Sequence, residues 1–340
     1  MLIFRYQIEN PGKIMAKKSN DKSMDLSQAI QNLVKNGSHI SIGGFTINRN
    51  PMAAVHELIR QKKRNLHLYA HSNGQGVDEL VGAGVISKLE IAYGGSGRFA
   101  STCIRFKKAV QDGTIAVEDY SNFQMTLRFL AGALGVPFLP TRSGMGTDIL
   151  ARWGFSKETR SSDPKLPDQK AVVMDNPFGK WAESSKVVLV PAIQPDVTII
   201  HAQKAATDGT VRISGLPFTD VEQAKAAEHV IVTCEELVAL DDLRDNADLN
   251  TLPPFCVDAV CHVPYGAYPT ACYGYYDYDP KFLKDYAAYA RDDDSFQGYL
   301  EKFIFGTDNH ASFLALSGPQ QLKKIQADPR TGYAANLDRT

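Results

Sequence analysis

Short runs of continuous apolar residues alternate with runs of helical period along most of the chain. The first strand is predicted at residues 40–42, and a helix is predicted to begin after Pro51, whose missing N–H costs nothing in a first helical turn. Further strands are predicted at residues 66–70, 89–93, 115–120, 186–193, 196–203 and 229–237. Strands that are buried on both faces read as continuous apolar runs. The pattern therefore predicts an α/β fold with a single open, mostly parallel sheet, helices on both faces and an α-rich, aromatic C-terminal part.

Glycine-rich loops follow three consecutive predicted strands, at residues 43–44, 71–76 and 94–99. Since the carboxyl ends of parallel strands share one sheet edge, we expect these loops to form a ligand site, where backbone N–H groups receive a phosphate, a carboxylate or an oxyanion. The dinucleotide fingerprint and the P-loop both need spacings that GGFTINRNP lacks. The alternative for Gly43 and Gly44 is an ordinary tight turn between strand and helix.

Three later features complete the pattern. Ser121 and Asn122 are predicted to cap a helix that starts at Phe123. Residues 135–149 form a long proline and glycine connection, which is a candidate ligand loop or an ordinary surface loop. Residues 151–185 are polar and weakly periodic, which is typical of an exposed hairpin or insertion.

Composition narrows the class of protein. The 340 residues are 44% hydrophobic and 22% charged with a net charge of −1, so neither a nucleic-acid footprint nor a polybasic membrane patch is expected. No apolar stretch reaches the roughly 20 residues of a membrane span, and Arg5 and Pro11 interrupt the first residues before a signal peptide could form. We therefore expect a cytoplasmic protein, with residues 1–23 as a disordered extension and residues 24–340 as one domain.

Five scattered cysteines without a secretory signal indicate reduced thiols. One cluster suggests a zinc site and consists of Cys256, Cys261, His262 and Cys272. Its spacings do not match the short knuckles of structural zinc sites. We therefore predict no metal.

No reactive group stands out among the candidate loops. A nucleophilic serine of the hydrolase type needs G-x-S-x-G, and neither GGSG at residues 94–97 nor RSGMG at 142–146 has that spacing. His67, His201 and His229 lie in or beside apolar strands and are interpreted as structural histidines. Glu235 and Glu236 are interpreted as the first turn of a helix rather than as an acid/base pair. The chain thus offers binding loops that resemble half of an active site.

The segment Asn36–Pro51, NGSHISIGGFTINRNP, resembles the signature of the α subunit of family I CoA-transferases, which is roughly D/N-G, three apolar residues and then G-G-F-x-x-x-G-x-P. Ser41 and Arg49 depart from it, and the GGF-x-x-x-R-x-P form resembles the glutaconate CoA-transferase branch. The similarity continues through EDYSN, GVPFLP, DNPF, DVTIIHAQ, DGTVRI, IVTCEE and YGAYPTACYGYYDYD, and it covers roughly residues 25–310.

This resemblance implies a NagB-like fold and a heteromer of two similar subunits. The β subunit of such enzymes carries a catalytic glutamate in an S-E-N-G motif, and that carboxylate forms a mixed anhydride and then a glutamyl-CoA thioester. The corresponding loop here reads His71-Ser72-Asn73-Gly74, without the glutamate. The resemblance therefore implies that this chain is inactive without a β partner, in an αβ heteromer that is usually doubled to α2β2 or higher. A CoA thioester would be the substrate, and no permanently bound cofactor is expected.

The resemblance also implies roles for particular residues. The backbone N–H groups of Gly43 and Gly44 and the side-chain amide of Asn122 would stabilise the tetrahedral oxyanion, while a helix N-cap is the alternative role of Asn122. The predicted substrate-binding residues are Phe45, Asn48, Arg49, Ser72, Gly94, Gly95, Ser96, Ser143 and Gly144. Arg49, Arg98 or Arg142 is a candidate to pair a second carboxylate of the acyl group, although each fits a surface or interface position equally.

Two other functions stay open. Hydrolases of the same family that act on ring-containing acyl-CoA substrates resemble α subunits with a glutamate near the EDYSN position, where this chain has Asn122. A non-catalytic ligand-binding domain is also compatible with the fold. It would need a partner to contact DNA, because the chain has no basic patch.

Overall fold

A computed structural model describes residues 21–152, 154–180, 184–335 and 337 of the chain. Its strands are β1 (His39–Ile42), β2 (Leu66–Asn73), β3 (Ile86–Gly94), β4 (Ala116–Asp119), β5 (Phe138–Thr141), β6 (Val172–Asp175), β7 (Lys186–Pro191), β8 (Val197–Ala206), β9 (Val211–Arg212), β10 (His229–Val238) and β11 (Ala259–His262). Its α-helices are α1 (Leu26–Leu33), α2 (Met52–Arg60), α3 (Gln75–Gly82), α4 (Ile104–Gln111), α5 (Asn122–Leu134), α6 (Lys157–Ser161), α7 (Asp220–Ala226), α8 (Leu240–Arg244), α9 (Pro280–Tyr289), α10 (Asp293–Leu300), α11 (His310–Ser317) and α12 (Pro319–Ile325).

The main sheet has the strand order β11-β10-β8-β1-β2-β3-β4, and β9 pairs with β8. All pairs along this path are parallel, and only β9 runs antiparallel to its neighbour. Chain order reverses beside β1, since β2 lies on one side of it and β8 on the other. The predicted open, mostly parallel sheet is confirmed.

Side chains of the main sheet alternate between two layers. On β2, Leu68 and Ala70 join the large apolar core with α1–α3 and the C-terminal helices, whereas Tyr69 contacts Met125 and Phe129 of α5 in a smaller cluster. Helices therefore cover both faces of the sheet. The aromatic residues of the predicted α-rich C-terminal part complete the large core, and Tyr299 is fully buried.

A second sheet lies outside the main one. Strands β5, β7 and β6 form an antiparallel three-stranded sheet in that order. The prediction that residues 186–193 form a strand of the main sheet is wrong, because β7 lies in this second sheet, and so is the interpretation of residues 138–141 as a loop. Val188 and Val190 are fully buried, and this sheet contacts α5 through β5 and β7. A run of apolar residues predicts a buried strand but does not show to which sheet the strand belongs. Asp175 of β6 pairs antiparallel with Lys186 of β7, which agrees with the hairpin predicted between them.

The beginning of the described chain is attached to the main sheet. The ammonium of Lys22 donates to the carbonyl oxygens of Pro254 (2.6 Å) and Val257 (2.8 Å), and Ser23 forms a parallel bridge with Val260. The predicted extension otherwise lies outside the described residues, so the boundary at residue 24 stays a prediction. None of the helices in the described part of the chain is both long and apolar enough to cross a membrane.

Candidate functional site

The loops after β1, β2 and β3 meet at the carboxyl edge of the main sheet. The N–H of Thr46 donates to the carbonyl of Ser72 at 3.0 Å, and the N–H of Gly95 donates to the carbonyl of Asn73 at 3.0 Å. The rings of Phe45 and His71 lie 5.6 Å apart. The structure therefore brings together the three glycine-bearing strand ends, as predicted from their parallel order.

Residues 43–49, which we call the GGF loop, fold back on themselves as a tight turn. Phe45 and Asn48 exchange two backbone hydrogen bonds of 2.8 Å, and the N–H of Arg49 donates to the carbonyl of Ala271 at 2.7 Å. Thr46 and Arg49 both have left-handed backbone conformations, with φ of 49° and 50°. Such residues carry strain that surrounding contacts must offset.

The predicted oxyanion donors of this loop are already occupied. The N–H of Gly43 donates to the carbonyl of Ile199 at 2.9 Å, which continues the pairing of β1 with β8. The N–H of Gly44 donates to Oδ1 of Asp220 at 2.9 Å. Both N–H groups thus have partners within the chain, and their role as oxyanion donors stays a prediction.

Asp220 also explains why the loop needs glycine. A Cβ atom on Gly43 would lie 2.7 Å from Oδ2 of Asp220, and one on Gly44 would lie 2.6 Å from the backbone of Arg49. The sequence correctly indicates that something approaches this backbone closely. The approaching group is the carboxylate of the first residue of α7 rather than a ligand.

Arg49 completes this buried contact. Its Nη1 donates to Oδ2 of Asp220 at 2.6 Å and to the carbonyl of His201 at 3.0 Å, and its Nη2 donates to the carbonyl of Leu216 at 3.0 Å. Both partners of the ion pair are buried, and burial raises the pKa of Asp220 above its ordinary value despite the guanidinium beside it. The guanidinium is therefore engaged within the chain, and a substrate contact of Arg49 stays a prediction.

Asn122 is the first residue of α5 and is exposed to solvent. Its alternative role as the helix N-cap is wrong, because Ser121 accepts from the N–H of Gln124 and the Gln124 side chain accepts from the N–H of Ser121. Oδ1 of Asn122 accepts from the hydroxyl of Ser72 at 2.5 Å. Among the hydrogen bonds of the described residues, none involves Nδ2 of Asn122, so this amide N–H₂ is available to a ligand at the sheet edge.

The predicted loop residues Ser143 and Gly144 lie beside the same helix end. The hydroxyls of Ser143 and Ser121 are 2.7 Å apart, and Nε2 of Gln124 donates to the carbonyl of Ser143 at 2.9 Å. A Cβ on Gly144 would lie 2.6 Å from Nε2 of Gln124. These two residues therefore support the first turn of α5, one residue away from Asn122.

Gly94 ends β3, and Gly95 and Ser96 follow it; all three are buried. A Cβ on Gly95 would lie 2.6 Å from the backbone oxygen of Ser101, so glycine is required there by packing. Their predicted substrate contacts stay untested. Arg98 and Arg142 are both exposed, and their pairing with a substrate carboxylate likewise stays a prediction.

Phe45, Asn48 and Arg49 of the GGF loop also line a groove of about 800 Å³. The rings of Phe45 and Phe218, which both line this groove, stack with their centroids 5.0 Å apart. Its other aromatic residues are Tyr273, Tyr276, Tyr278 and Tyr333. The groove is thus an aromatic surface. The GGF loop contributes both to this groove and to the carboxyl edge of the sheet where Asn122 lies.

Sequence reasoning missed a buried polar cluster behind this groove. Glu235 lies in β10 and is buried, so its interpretation as a helical first turn is wrong. Its carboxylate accepts from Nε2 of His201 (2.6 Å), from the hydroxyl of Tyr276 (2.6 Å) and from the N–H of Tyr265 (2.7 Å). Burial, and then the Glu235 charge, raise the pKa of Tyr276 well above its ordinary value, which keeps the phenol a donor.

Glu236, the next residue, lies in the same strand and is exposed. It faces Lys204 of β8 at 3.4 Å, so the helix interpretation is wrong for this residue too. Side chains at successive strand positions point to opposite faces. Adjacent carboxylates therefore have opposite environments here.

Two clusters of possible metal ligands are present among the described residues, and neither is the cysteine cluster that the sequence analysis rejected. One contains His39, His67 and Asp163, and the other contains His201, Glu235 and Cys272. In the second, the hydrogen bond of 2.6 Å between His201 and Glu235 leaves no space for an ion between them. The structural interpretation of His67 fits its contact with Glu90 at 2.9 Å, and His229 lies 3.6 Å from Asp258.

Comparison with known proteins connects this geometry to a family. The family model for Coenzyme A transferase matches residues 23–262. The chain is 40% identical over 316 residues to the A subunit of glutaconate CoA-transferase from Acidaminococcus fermentans, and the match covers 93% of this chain and 98% of that one. It is 35% identical over 298 residues to the A subunit of 3-oxoadipate CoA-transferase from Pseudomonas knackmussii, covering 86% and 96% of the two chains.

The solved structures agree with this relationship. The crystal structure of glutaconate coenzyme A-transferase from Acidaminococcus fermentans matches with a TM-score of 0.89 at 40% identity, over 93% of this chain and 98% of that one. The chain therefore belongs to the coenzyme A transferase family. This confirms the resemblance seen in the GGF loop and the fold expected from it.

Proposed function

We propose that this chain is the non-nucleophilic subunit of a heteromeric CoA-transferase, which moves CoA from an acyl-CoA to a carboxylic acid. The observation that carries the proposal is the open side-chain amide of Asn122 at the carboxyl edge of the sheet, beside a β2 loop that has no glutamate. A donor without a nucleophile is half of an acyl-transfer site. The other half would be a glutamate on a partner subunit.

The reaction proceeds in balanced steps. The partner's glutamate attacks the thioester carbonyl, and collapse of the tetrahedral intermediate expels CoA thiolate and leaves a mixed anhydride. The thiolate then attacks the glutamyl carbonyl of that anhydride, which releases the first carboxylic acid and leaves a glutamyl-CoA thioester. The acceptor acid takes the CoA by the reverse steps. The neutral amide of Asn122 donates to the oxyanion of each tetrahedral intermediate.

The acyl group is proposed to be a short carboxylic or dicarboxylic acid, by analogy with the glutaconate and 3-oxoadipate enzymes. Arg49 contributes little to recognition of a second carboxylate because Asp220 already neutralises it. We propose that Arg98, Arg142 or a cation of the partner fills that role. The CoA thioester is a substrate in this scheme, and no resident cofactor takes part.

The proposed assembly is an αβ pair, doubled to α2β2 or higher. Its partner would be a subunit of similar fold whose S-E-N-G loop approaches the exposed face of Asn122. A cytoplasmic location remains the prediction from composition. Neither nucleic acid nor a membrane is proposed as a partner.

The test is mass spectrometry of this chain co-expressed with its β partner. After an acyl-CoA is added, the complex is treated with borohydride or hydroxylamine, and peptides of both chains are mapped. We expect a covalent change confined to one glutamate of the partner, together with transfer of CoA to added acetate. An adduct on this chain would contradict the proposal, and release of free CoA without any acceptor acid would favour the hydrolase function instead.

A further inference from the structure

Ser72 lies at the carboxyl end of β2 and contacts Asn122 but not solvent. Its side chain is fully buried, and its hydroxyl donates to Oδ1 of Asn122 at 2.5 Å. A fully buried hydroxyl that is already committed to a neighbouring side chain has no surface left for a substrate. The prediction that Ser72 binds substrate directly is therefore not supported by its position.

The contact decides which end of the Asn122 amide faces outward. A primary amide has a donor end and an acceptor end of nearly the same shape, and only the donor end stabilises an oxyanion. The buried hydroxyl of Ser72 has no other side-chain partner among the described residues, so its proton would lack an acceptor if Nδ2 faced it. Oδ1 therefore lies on the buried side, and Nδ2 points to the open edge. With that hydrogen bond removed, the amide could turn its oxygen toward the developing negative charge and repel it.

The main chain of Asn122 is held by His71 of the same strand and by Thr126 of α5 itself. Nε2 of His71 donates to the carbonyl of Asn122 at 3.1 Å, and the hydroxyl of Thr126 donates to the same oxygen at 3.1 Å. Burial lowers the pKa of His71 below its ordinary value, which favours the neutral ring, and a carbonyl acceptor requires the proton on Nε2. The end of β2 thus fixes both the first turn of α5 and the side chain that projects from it.

We propose that Ser72 is a positioning residue for the oxyanion donor: it orients the Asn122 amide and does not touch the substrate. This inference rests on the proposed function of the chain as the donor half of a CoA-transferase site. It predicts that loss of the Ser72 hydroxyl slows the acyl-transfer steps without weakening substrate binding. In kinetic terms, kcat falls and KM stays the same.

The test is a double-mutant cycle on the co-expressed complex, with Ser72→Ala, Asn122→Ala and the double variant. We expect kcat to fall about 100-fold for Asn122→Ala and about 10-fold for Ser72→Ala, the effect of one hydrogen bond of roughly 1.4 kcal/mol. The double variant should be no slower than Asn122→Ala alone, because Ser72 acts only through the amide. Reductions that multiply in the double variant would overturn the inference.

Ser41→Ala is the matched control for a merely structural effect. Ser41 is also a fully buried strand serine, and its hydroxyl lies 2.7 Å from that of Thr198, away from Asn122. Both serine variants should lower the melting temperature by similar amounts, and only Ser72→Ala should lower kcat. Equal kcat for the two variants would overturn the inference.

The outcomes separate this inference from the function on which it rests. A wild-type complex that transfers no CoA would reject the proposed function itself. An active complex in which Asn122→Ala is impaired but Ser72→Ala matches Ser41→Ala would reject only the positioning role. An active complex in which Asn122→Ala is unimpaired would reject the donor role and the positioning role together.

Discussion

The GGF loop and the first turn of α5 lie at the same edge of the sheet, and the sequence predicts an oxyanion donor in each. Gly43 and Gly44 present backbone N–H groups, but both are bound within the chain, one of them to Asp220. Asn122 presents a side-chain amide whose acceptor end alone is bound. A glycine-rich strand end thus indicates where a backbone is approached closely, but not by what. An open donor is identified only when its partners are known.

The two regions also differ in their use of charge. The GGF loop is fixed by a buried ion pair, with Arg49 and Asp220 both almost fully shielded from water. The turn at Asn122 is fixed by neutral hydrogen bonds from Ser72, His71 and Thr126. Changes in the first region should therefore act mainly on stability, and changes in the second mainly on catalysis.

The largest expected effect is on the stability of the GGF loop. Arg49→Ala or Asp220→Ala leaves one buried charge without its partner, which costs about 3–5 kcal/mol of unfolding free energy. Urea unfolding of the purified complex measures this cost. Losses below about 1 kcal/mol would show that the pair does not hold the loop.

A compensating pair of substitutions isolates the role of charge in the same loop. Arg49 has a φ of 50° where the family signature has glycine. The double variant Arg49→Gly/Asp220→Asn removes both charges, relieves the backbone strain and keeps an oxygen for the N–H of Gly44. It should recover most of the stability that Arg49→Ala loses. Equal losses in the two variants would contradict the role of the ion pair.

The second effect is on catalysis, at Asn122. Because the side chain is exposed and is not the helix cap, Asn122→Ala should cost only about 1 kcal/mol of unfolding free energy, which comes from the buried Ser72 hydroxyl that loses its acceptor. The same variant should lose about 100-fold in kcat. Steady-state kinetics and urea unfolding on one preparation test the contrast with Arg49. If Asn122→Ala lost as much stability as Arg49→Ala does, this contrast between a catalytic and a stabilising residue would be contradicted.

A smaller effect concerns pH and lies at the opposite end of β1. Burial, and then the neighbouring His67, lower the pKa of His39 from 6.5 to about 4, although Asp163 accepts from its ring at 2.9 Å. The unfolded chain therefore takes up this proton first as pH falls. His39 should contribute a loss of stability of about 2 kcal/mol between pH 6.5 and pH 4.

Substitution of His39 should remove this contribution. The difference in unfolding free energy between wild type and His39→Gln should shrink as pH falls from 6.5 to 4. The control is His229→Gln, because that ring starts another strand and its side chain is 41% exposed. If the difference in unfolding free energy between wild type and His39→Gln does not change with pH, the lowered pKa of His39 is contradicted.

The sequence predicts the sheet well because its evidence is local. Apolar runs and glycine ends indicate the strands, and parallel order is enough to place residues 43–44, 71–76 and 94–99 at one edge. The capping box of Ser121 and Gln124 is also a local signal, and it shows after the fact that Asn122 is the first helical residue rather than the cap.

The rest of the site depends on contacts between distant residues. Asp220 lies 176 residues beyond Gly44, and no local pattern connects it to the GGF loop. Glu235 and Glu236 read as a charged turn, yet β10 continues through both, and the long-range contacts with His201 and Tyr276 offset the cost of burying Glu235. The strand at residues 186–191 is correct as a strand, but its sheet is chosen by tertiary packing.

The division of the site between two subunits is best tested by the rate at which the covalent adduct forms in a single turnover of the complex. The wild-type complex and Asn122→Ala are mixed with acyl-CoA, quenched at intervals and mapped by mass spectrometry. We expect an adduct on a glutamate of the partner in both, formed about 100-fold more slowly without the amide. Equal rates would contradict the role of Asn122 as the oxyanion donor, and an adduct on this chain would contradict the divided site itself.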